Sequence, residues 1–208
     1  MKVTILNHPL VKHKISIIRN EATGTKEFRE IINELSMLVA YEALRNLSLN
    51  EGVVKTPICE TTSYTINENN YAFIPILRAG LSMVDGVIKL IPNAKVGHIG
   101  LYRNEETLEP VSYYYKAPKN IENKEVFLLD PMIATGGSAS EAITMLKKQG
   151  VKKINLLGII AVEEGISRIN KDHSDVEIYV ASLDERLNEV GYIVPGLGDA
   201  GDRIFGTK

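Results

Sequence analysis

The sequence predicts an α/β fold with a mainly parallel central sheet and flanking helices. The first observation is residues 126–129, an apolar run without polar alternation, which is typical of a strand buried on both faces. The second is a further apolar run of the same kind at residues 154–162. The third is the helical spacing of the apolar residues between these runs, namely Ala142, Ile143, Met145 and Leu146. Together they form a strand–helix–strand unit, from which parallel sheets are built.

A second strand–loop–helix unit begins at residues 71–77. Its apolar strand runs directly into Arg78, and a glycine turn and a helical pattern of apolar residues follow. A third strand is predicted at residues 96–101, just before Arg103. The carboxyl ends of parallel strands lie at one edge of a sheet, where ligands bind. We therefore expect Arg78, Arg103 and Asp130 to meet at that edge.

Three other segments complete the predicted secondary structure. Thr25 is the predicted N-cap of a long amphipathic helix that covers the core or a partner subunit. Strands are predicted at residues 53–58 and 63–66. Residues 104–118 are polar, punctuated by proline and rich in tyrosine. They predict a hairpin near the active edge, either an ordinary edge hairpin or a lid.

The loop after the strand at 126–129 has the composition of a phosphate-binding loop. Asp130 stands at the strand end, and residues 135–138, Thr-Gly-Gly-Ser, precede the helix. Backbone N–H groups at the positive end of a helix bind phosphate. A capping box with Ser138 at the N-cap and Glu141 is the alternative explanation for the serine. The loop lacks the lysine of a P-loop and the G-x-G-x-x-G pattern. We therefore expect a sugar phosphate, with the carboxylate on ribose hydroxyls and the loop on the 5′-phosphate.

The C-terminal segment from Gly191 onward is rich in glycine, which predicts irregular structure. An ordered loop of this kind brings backbone N–H and C=O groups close to a flat ligand, because no side chain stands in the way. Asp199 and Asp202 are candidates to bind the ribose or a metal ion. A flexible tail is the alternative, which the apolar content of the segment disfavours. The predicted apolar anchors are Tyr192, Ile193, Val194, Leu197 and Phe205.

Length and composition set limits on the whole chain. With 208 residues, 44% of them hydrophobic, the chain can bury one α/β core, so residues 1–208 are predicted to form a single domain. The net charge of −2 gives no general attraction to nucleic acid, and no nucleic-acid partner is expected. No apolar run is long enough to span a bilayer and no signal peptide is evident, so we expect a cytoplasmic protein without a membrane partner.

A few single residues carry smaller expectations. Lys12, Lys14 and Arg19 are expected on a solvated face. The lone cysteine, Cys59, is expected to be packed in the interior. Neither it nor the four histidines show the spacing of metal ligands.

Three segments resemble the uracil phosphoribosyltransferase family of bacterial type, and the similarity runs from His8 to the C-terminus. Residues 74–80 (IPILRAG) resemble the family's pyrophosphate-side segment. Residues 130–138 (DPMIATGGS) resemble its loop for phosphoribosyl pyrophosphate (PRPP), and residues 192–207 resemble its uracil-binding end. The resemblance implies the type I phosphoribosyltransferase fold, with a hairpin lid and a C-terminal base-binding segment.

The resemblance also implies a reaction in pyrimidine salvage, in which uracil displaces pyrophosphate from the anomeric carbon of PRPP and forms UMP. Mg²⁺ is expected as the cofactor, bound through PRPP oxygens rather than by a protein cage. GTP as an effector and a homodimer or larger homo-oligomer are further implications. The implied catalytic residues are Arg78, Arg103 and Asp130. Binding of PRPP is assigned to these three and to Pro131, Met132, Ile133, Ala134, Thr135, Gly136, Gly137, Ser138 and Asp199, and binding of uracil to Ile193, Gly198, Asp199 and Ala200.

Three other functions stay open at the level of the sequence. An RNA-binding regulator of pyrimidine genes can use the same fold, but the chain shows no basic stripe for RNA. A purine phosphoribosyltransferase would be expected to end without the Gly-Asp-Ala-Gly-Asp segment. A sugar-phosphate-binding protein without catalysis would have no need for two arginines on the leaving-group side.

Overall fold

A computed structural model gives the fold of residues 2–103 and 110–207, and the side chain of Arg103 lies outside that description. Its six helices are Pro9–Arg19 (α1), Thr25–Ala43 (α2), Leu81–Val87 (α3), Gly137–Lys148 (α4), Glu163–Asp172 (α5) and Ala200–Phe205 (α6), counted within the described ranges. The strands are Val3–Ile5 (β1), Asn50–Lys55 (β2), Glu60–Thr65 (β3), Tyr71–Leu77 (β4), Lys95–Val96 (β5), His98–Arg103 (β6), Pro110–Lys116 (β7), Glu125–Leu129 (β8), Met132–Ile133 (β9), Lys153–Val162 (β10), Glu177–Asp184 (β11), Arg186–Leu187 (β12) and Ile193–Val194 (β13).

The main sheet has the order β1-β11-β10-β8-β4-β6-β7, with β5 paired to β4 and β9 paired to β10. All of these pairs are parallel except β6 with β7. The predicted α/β class with a mainly parallel sheet is therefore confirmed, including the two strand–loop–helix units. β6 and β7 also confirm the predicted edge hairpin, although residues 104–109 between them lie outside the described residues.

Helices cover both faces of this sheet, as the unbroken apolar strands predicted. Successive residues of a strand point to opposite faces, and in β4 Phe73 belongs to one hydrophobic cluster whereas Ile74 belongs to the other. The first cluster contains apolar residues of α1, α2, α3 and α6, and the second contains those of α4 and α5. The sheet is thus the middle of three layers, and the ends of its strands are the part that helices leave open.

Several local predictions were wrong in their boundaries. α2 begins at Thr25 itself, and Gly24 is its N-cap without a side-chain hydrogen bond. The predicted strand at 53–58 ends at Lys55, because the hydroxyl of Thr56 accepts hydrogen bonds from the N–H groups of Ile58 and Cys59 and closes a turn. β2 and β3 therefore form a separate antiparallel hairpin.

Single-residue expectations also need correction. Cys59 is exposed at the tip of that hairpin rather than packed. Arg19 does not lie on a solvated face, since it pairs with the buried carboxylate of Asp184. In the C-terminal segment, Ile193 and Leu197 are buried as predicted, whereas Tyr192 and Phe205 are 41% and 38% exposed.

The C-terminal segment was also predicted to lack regular structure, but it contains α6, and the buried residues of that helix are Ala200 and Ile204. Among the described residues, no helix has the length and apolar character that a membrane span needs.

Candidate active site

A cavity of about 280 Å³ lies where β4 and β8 end, at the edge of the sheet for which the sequence predicted a site. Leu101 of β6 and Pro110 of β7 contribute to its wall, as does Gly191. Pro131 is buried beside it, and its carbonyl accepts hydrogen bonds from the main chain of β10. The predicted residues that line the cavity are Arg78, Asp130, Met132, Ile133, Ala134, Thr135, Gly136, Gly137 and Ser138.

The loop from Asp130 to Gly136 is held in one conformation by close backbone packing. Gly136 has a φ of +74°, which side chains disfavour, and a Cβ on it would lie 2.5 Å from the carbonyl oxygen of Gly165. It is the N-cap of α4, so Ser138 is the second residue of the helix, and the capping-box explanation is wrong. The first residues of α4 line the cavity, so the unpaired N–H groups and the positive end of its dipole are available there.

Asp130 is the acidic residue among the described residues that line the cavity. Its own N–H donates to the carbonyl of Leu157 at 3.0 Å, which extends the β8–β10 pairing and directs the chain out of the sheet. Burial raises the pKa of the Asp130 carboxyl to about 7, against a smaller opposing effect of the hydrogen bond from the Met132 N–H. A carboxyl group with that pKa in the ligand-free protein is ready to lose its proton when a cation arrives beside it.

Arg78 follows directly after β4, and its side chain is exposed. The Leu77–Arg78 peptide bond is cis. Gly80, two residues later, packs against the strand so closely that a Cβ would lie 2.7 Å from the carbonyl oxygen of Ile76. The guanidinium carbon of Arg78 is 5.8 Å from the ring centroid of Phe205 in α6. This contact joins the cavity to the C-terminal segment.

Arg103 is the last residue of β6 and pairs in register with Pro110 of β7. Because Leu101 and Pro110 both line the cavity, the backbone of Arg103 lies at its rim. The side chain of Arg103 and residues 104–109 lie outside the described residues, so the predicted role of Arg103 and the lid remain predictions.

The residues assigned to uracil do not line the same cavity. The side chains of Ile193 and Ala200 are buried in the core, which leaves their backbone groups for a ligand. Gly198 and Asp199 line a neighbouring cavity of about 500 Å³. The carboxylate of Asp199 caps α6, accepting a hydrogen bond from the N–H of Asp202 at 2.8 Å. Of the described residues 191–207, only Gly191 lines the first cavity.

The sequence interpretation missed several residues that shape this region. Gly165, in the first turn of α5, closely approaches the loop before α4, and nothing in the surrounding sequence distinguishes it from an ordinary helical residue. Asp184 was also missed. It is the last residue of a buried strand, and an acidic residue at a strand end is the pattern by which Asp130 was predicted. Within residues 2–103 and 110–207, no group of three or more His, Cys, Asp or Glu side chains is arranged to hold a metal ion.

Comparison with known proteins identifies the family. A family model for uracil phosphoribosyltransferase matches residues 5–207. Uracil phosphoribosyltransferases of Clostridium perfringens (strain 13 / Type A) and Clostridium botulinum (strain Eklund 17B / Type B) are 58% and 56% identical to this chain, over 100% of its length and 99% of theirs. The AQ2163 protein from Aquifex aeolicus has a solved structure that matches with a TM-score of 0.94 and 43% identity over 99% of both chains.

A more distant likeness concerns the fold alone. The adenine phosphoribosyl transferase from Trypanosoma brucei, solved with AMP, pyrophosphate and ribose-5-phosphate, is 14% identical, with a TM-score of 0.59 over 87% of this chain and 82% of that one. The predicted type I phosphoribosyltransferase fold is thereby confirmed. By the match of the family model and the full-length identity to its members, the chain belongs to the uracil phosphoribosyltransferase family.

Proposed function

We propose that this protein is a pentosyltransferase of pyrimidine salvage, which joins uracil to PRPP and releases UMP and pyrophosphate. The observation that carries the proposal is the cavity in which Asp130, Arg78 and the start of α4 come together. A family member with this fold and these groups has what the transfer of a phosphoribosyl group requires: a phosphate cradle, an acid for the ribose and a cation for the leaving group.

The 5′-phosphate of PRPP is assigned to the loop from Ala134 to Ser138. Gly136 and Gly137 present backbone N–H groups without side chains in the way, and the dipole of α4 favours a dianion there. The carboxylate of Asp130 accepts hydrogen bonds from the ribose hydroxyls. Because the loop is fixed against α5 at Gly165, the sugar is held in one position while its anomeric carbon reacts.

The leaving pyrophosphate is assigned to Arg78 and Arg103. Positive charge develops on the ribose and negative charge on the leaving group, so cations beside the leaving group stabilise the transition state. Mg²⁺ is part of this proposal. Asp130, the acid of the cavity, offers oxygen donors of the kind Mg²⁺ prefers, and an ion that keeps several waters suits binding through PRPP oxygens. When bound, Mg²⁺ neutralises the charge of the pyrophosphate.

Uracil is assigned to the backbone of the C-terminal segment at Ile193 and 198–200. The side chains of Ile193 and Ala200 are buried in the core, so we assign the recognition of uracil to the backbone N–H and C=O groups of this segment. An N–H at Ala200 pairs with a carbonyl of uracil but opposes the amino group of cytosine. A buried donor left without an acceptor rejects the wrong base strongly. Asp199, whose carboxylate caps α6, is proposed to reach PRPP from the same segment.

Self-association is proposed from the β2–β3 hairpin. Every side chain of its two strands is exposed except Ser63, which is intermediate, and a two-stranded hairpin is marginally stable on its own. Val53, Ile58 and Tyr64 are 74%, 92% and 64% exposed, which is apolar surface of the kind that a partner covers. We propose a second copy of this chain as that partner, in a homodimer or larger assembly.

The test is incubation of purified protein with PRPP, Mg²⁺ and labelled uracil, cytosine, hypoxanthine or adenine in parallel, with nucleotide and pyrophosphate measured. UMP and equimolar pyrophosphate from uracil alone are expected. A purine nucleotide would contradict the base assignment and favour the purine enzyme. No product with any base, together with retention of a pyrimidine-gene leader RNA on a filter, would favour the RNA-binding regulator.

The same assay tests the remaining proposals. Chelation of Mg²⁺ is expected to abolish turnover. We propose GTP as an effector, and its addition is expected to raise turnover. A cytoplasmic location is proposed as well, since an exposed free thiol such as Cys59 stays reduced in that compartment. Fractionation of the source cells checks this location.

A further inference from the structure

The segment proposed to bind uracil has little regular structure of its own. β13 contains two residues and α6 contains six. Gly196 and Gly198 have φ values of +62° and +80°. Elements this short do not hold a backbone in one position without contacts from elsewhere in the fold. Two arginines, Arg19 and Arg203, provide such contacts.

Arg19, the last residue of α1, holds the turn at Gly196 through a buried ion pair. Its guanidinium donates to both carboxylate oxygens of Asp184, at 2.7 and 2.5 Å, and to the carbonyl of Gly196 at 2.7 Å. The Asp184 side chain is 1% exposed and accepts the N–H of Gly196 at 2.9 Å. Burial favours a raised pKa for Asp184, but the hydrogen bonds and charge of Arg19 outweigh it and lower the pKa. Both backbone groups of Gly196 are therefore bound to one ionised pair.

Arg203, in α6, holds the next residue of the turn. Its guanidinium donates to the carbonyls of Leu197 at 2.8 Å and Asn20 at 2.6 Å, and also to the carbonyl of Ile18. The guanidinium carbon lies 4.3 Å from the ring centroid of Phe28, which is fully buried in α2. A cation at the carboxyl end of α1 is also favoured by the helix dipole. Arg203 thus ties the turn to the end of α1.

We infer that Arg19 and Arg203 are positioning residues for the base, fixing the backbone from Gly196 to Ala200 against α1 and β11. The inference rests on the function proposed for this segment. Neither arginine lines the first cavity, so neither is placed against PRPP. Arg203 lines the second cavity together with Gly198 and Asp199. Its guanidinium, however, donates to the carbonyls of Leu197 and Asn20, so we assign it a role through the backbone. If a backbone N–H near Ala200 distinguishes uracil from cytosine, a displacement of about 1 Å is enough to weaken binding and selectivity.

The test compares Arg203→Met and Arg203→Lys with the control Arg186→Met. Methionine keeps an aliphatic stem against Phe28 but removes every donor, whereas lysine keeps the charge. Arg186 is in β12, its side chain is 62% exposed, and within the described residues its ion pair is with the neighbouring Glu185. For Arg203→Met we expect the KM for uracil to rise at least about tenfold, and the KM for PRPP, which this segment is proposed to reach through Asp199, to rise by a clearly smaller factor. Arg203→Lys should fall between this variant and the wild type, and Arg186→Met should match the wild type.

Selectivity and dynamics give readouts that a general loss of stability would not produce. The preference for uracil over cytosine should fall in Arg203→Met. Amide hydrogen exchange of the ligand-free protein should speed up at residues 197–203 and stay unchanged in the central strands. Arg19→Lys, which keeps a charge beside Asp184, is expected to act in the same direction with a smaller effect.

Two results overturn the inference. One is an equal rise of the KM values for uracil and PRPP in Arg203→Met, which indicates a general structural defect. The other is an unchanged uracil KM in both Arg203 variants while the wild type converts uracil normally, which leaves the proposed function intact. A wild-type protein that converts no base overturns the proposed function and this inference together.

Discussion

Asp130 shows at the scale of one residue how a binding site is prepared at the expense of stability. Its folded-state pKa of about 7 lies above the ordinary value of 3.8. Between these values the folded protein binds a proton that the unfolded chain has lost. The free energy of unfolding therefore falls as the pH rises through this window. Cationic groups or Mg²⁺ that bind beside the carboxyl favour its charged form, so they lower this raised pKa and release the proton.

We expect Asp130→Asn to remove this pH dependence. From pH 5 to pH 8 the wild type should lose about 1–2 kcal/mol of unfolding free energy relative to the variant, a figure reduced for the partial exposure of the carboxyl. Urea unfolding at both pH values measures it, with the exposed Asp85→Asn as the control. The variant should also lose activity. An equal difference between wild type and Asp130→Asn at pH 5 and pH 8 would refute the role of the raised pKa.

The sequence predicts the position of some functional residues but not of others. Asp130 and Arg78 were predicted to meet because each ends an apolar run, and the ends of parallel strands share an edge. Arg19 was placed on a solvated face because its partner, Asp184, is 165 residues away along the chain. Residue spacing within a segment carries no information on such a pair. An ion pair between residues so far apart in the sequence can be identified only once the packing of the helices on the sheet is known.

At the scale of the element, the loop before α4 packs closely against the first turn of α5, so that neither segment can change conformation without the other. Composition predicted a phosphate loop there, but the choice between a cradle and a simple capping box stayed open. The structure rules out the capping box, since Gly136 is the N-cap and the helix begins before Ser138. The phosphate cradle stays a prediction. Strand and helix periods were sufficient to predict β4, β8 and β10, whereas α6 was missed because glycines interrupt its short pattern.

Gly136→Ala is expected to deform the loop before α4. A Cβ would force a side chain into a left-handed conformation and against the main chain of Gly165. We expect a loss of about 1–3 kcal/mol in unfolding free energy and at least a tenfold loss of PRPP affinity, measured by urea unfolding and by calorimetry. Gly24→Ala is the matched control, because nothing lies within 4 Å of its would-be Cβ. Wild-type PRPP affinity in Gly136→Ala would argue against the phosphate cradle.

At the scale of the whole molecule, the fold divides into a closed core and two open regions. The sheet and its helices bury nearly continuous apolar strands, and for that reason the fold class followed from the sequence. The edge with the cavity is open for a ligand. The β2–β3 hairpin is open for a different reason, since its apolar side chains are exposed among the described residues of the chain. The self-association proposed above would cover this surface.

The oligomeric state tests that explanation. We expect the double substitution Val53→Asp and Ile58→Asp to weaken self-association at least about tenfold, because both side chains are exposed within one chain and two charges would enter the interface. Thermal unfolding of the separated subunit should change little, since neither side chain is buried there. Sedimentation velocity over a range of concentrations measures the association, and Leu10→Asp, an exposed apolar residue of α1, is the control. A wild type that stays monomeric, or a double variant that sediments like the wild type, would overturn the proposed interface at the hairpin.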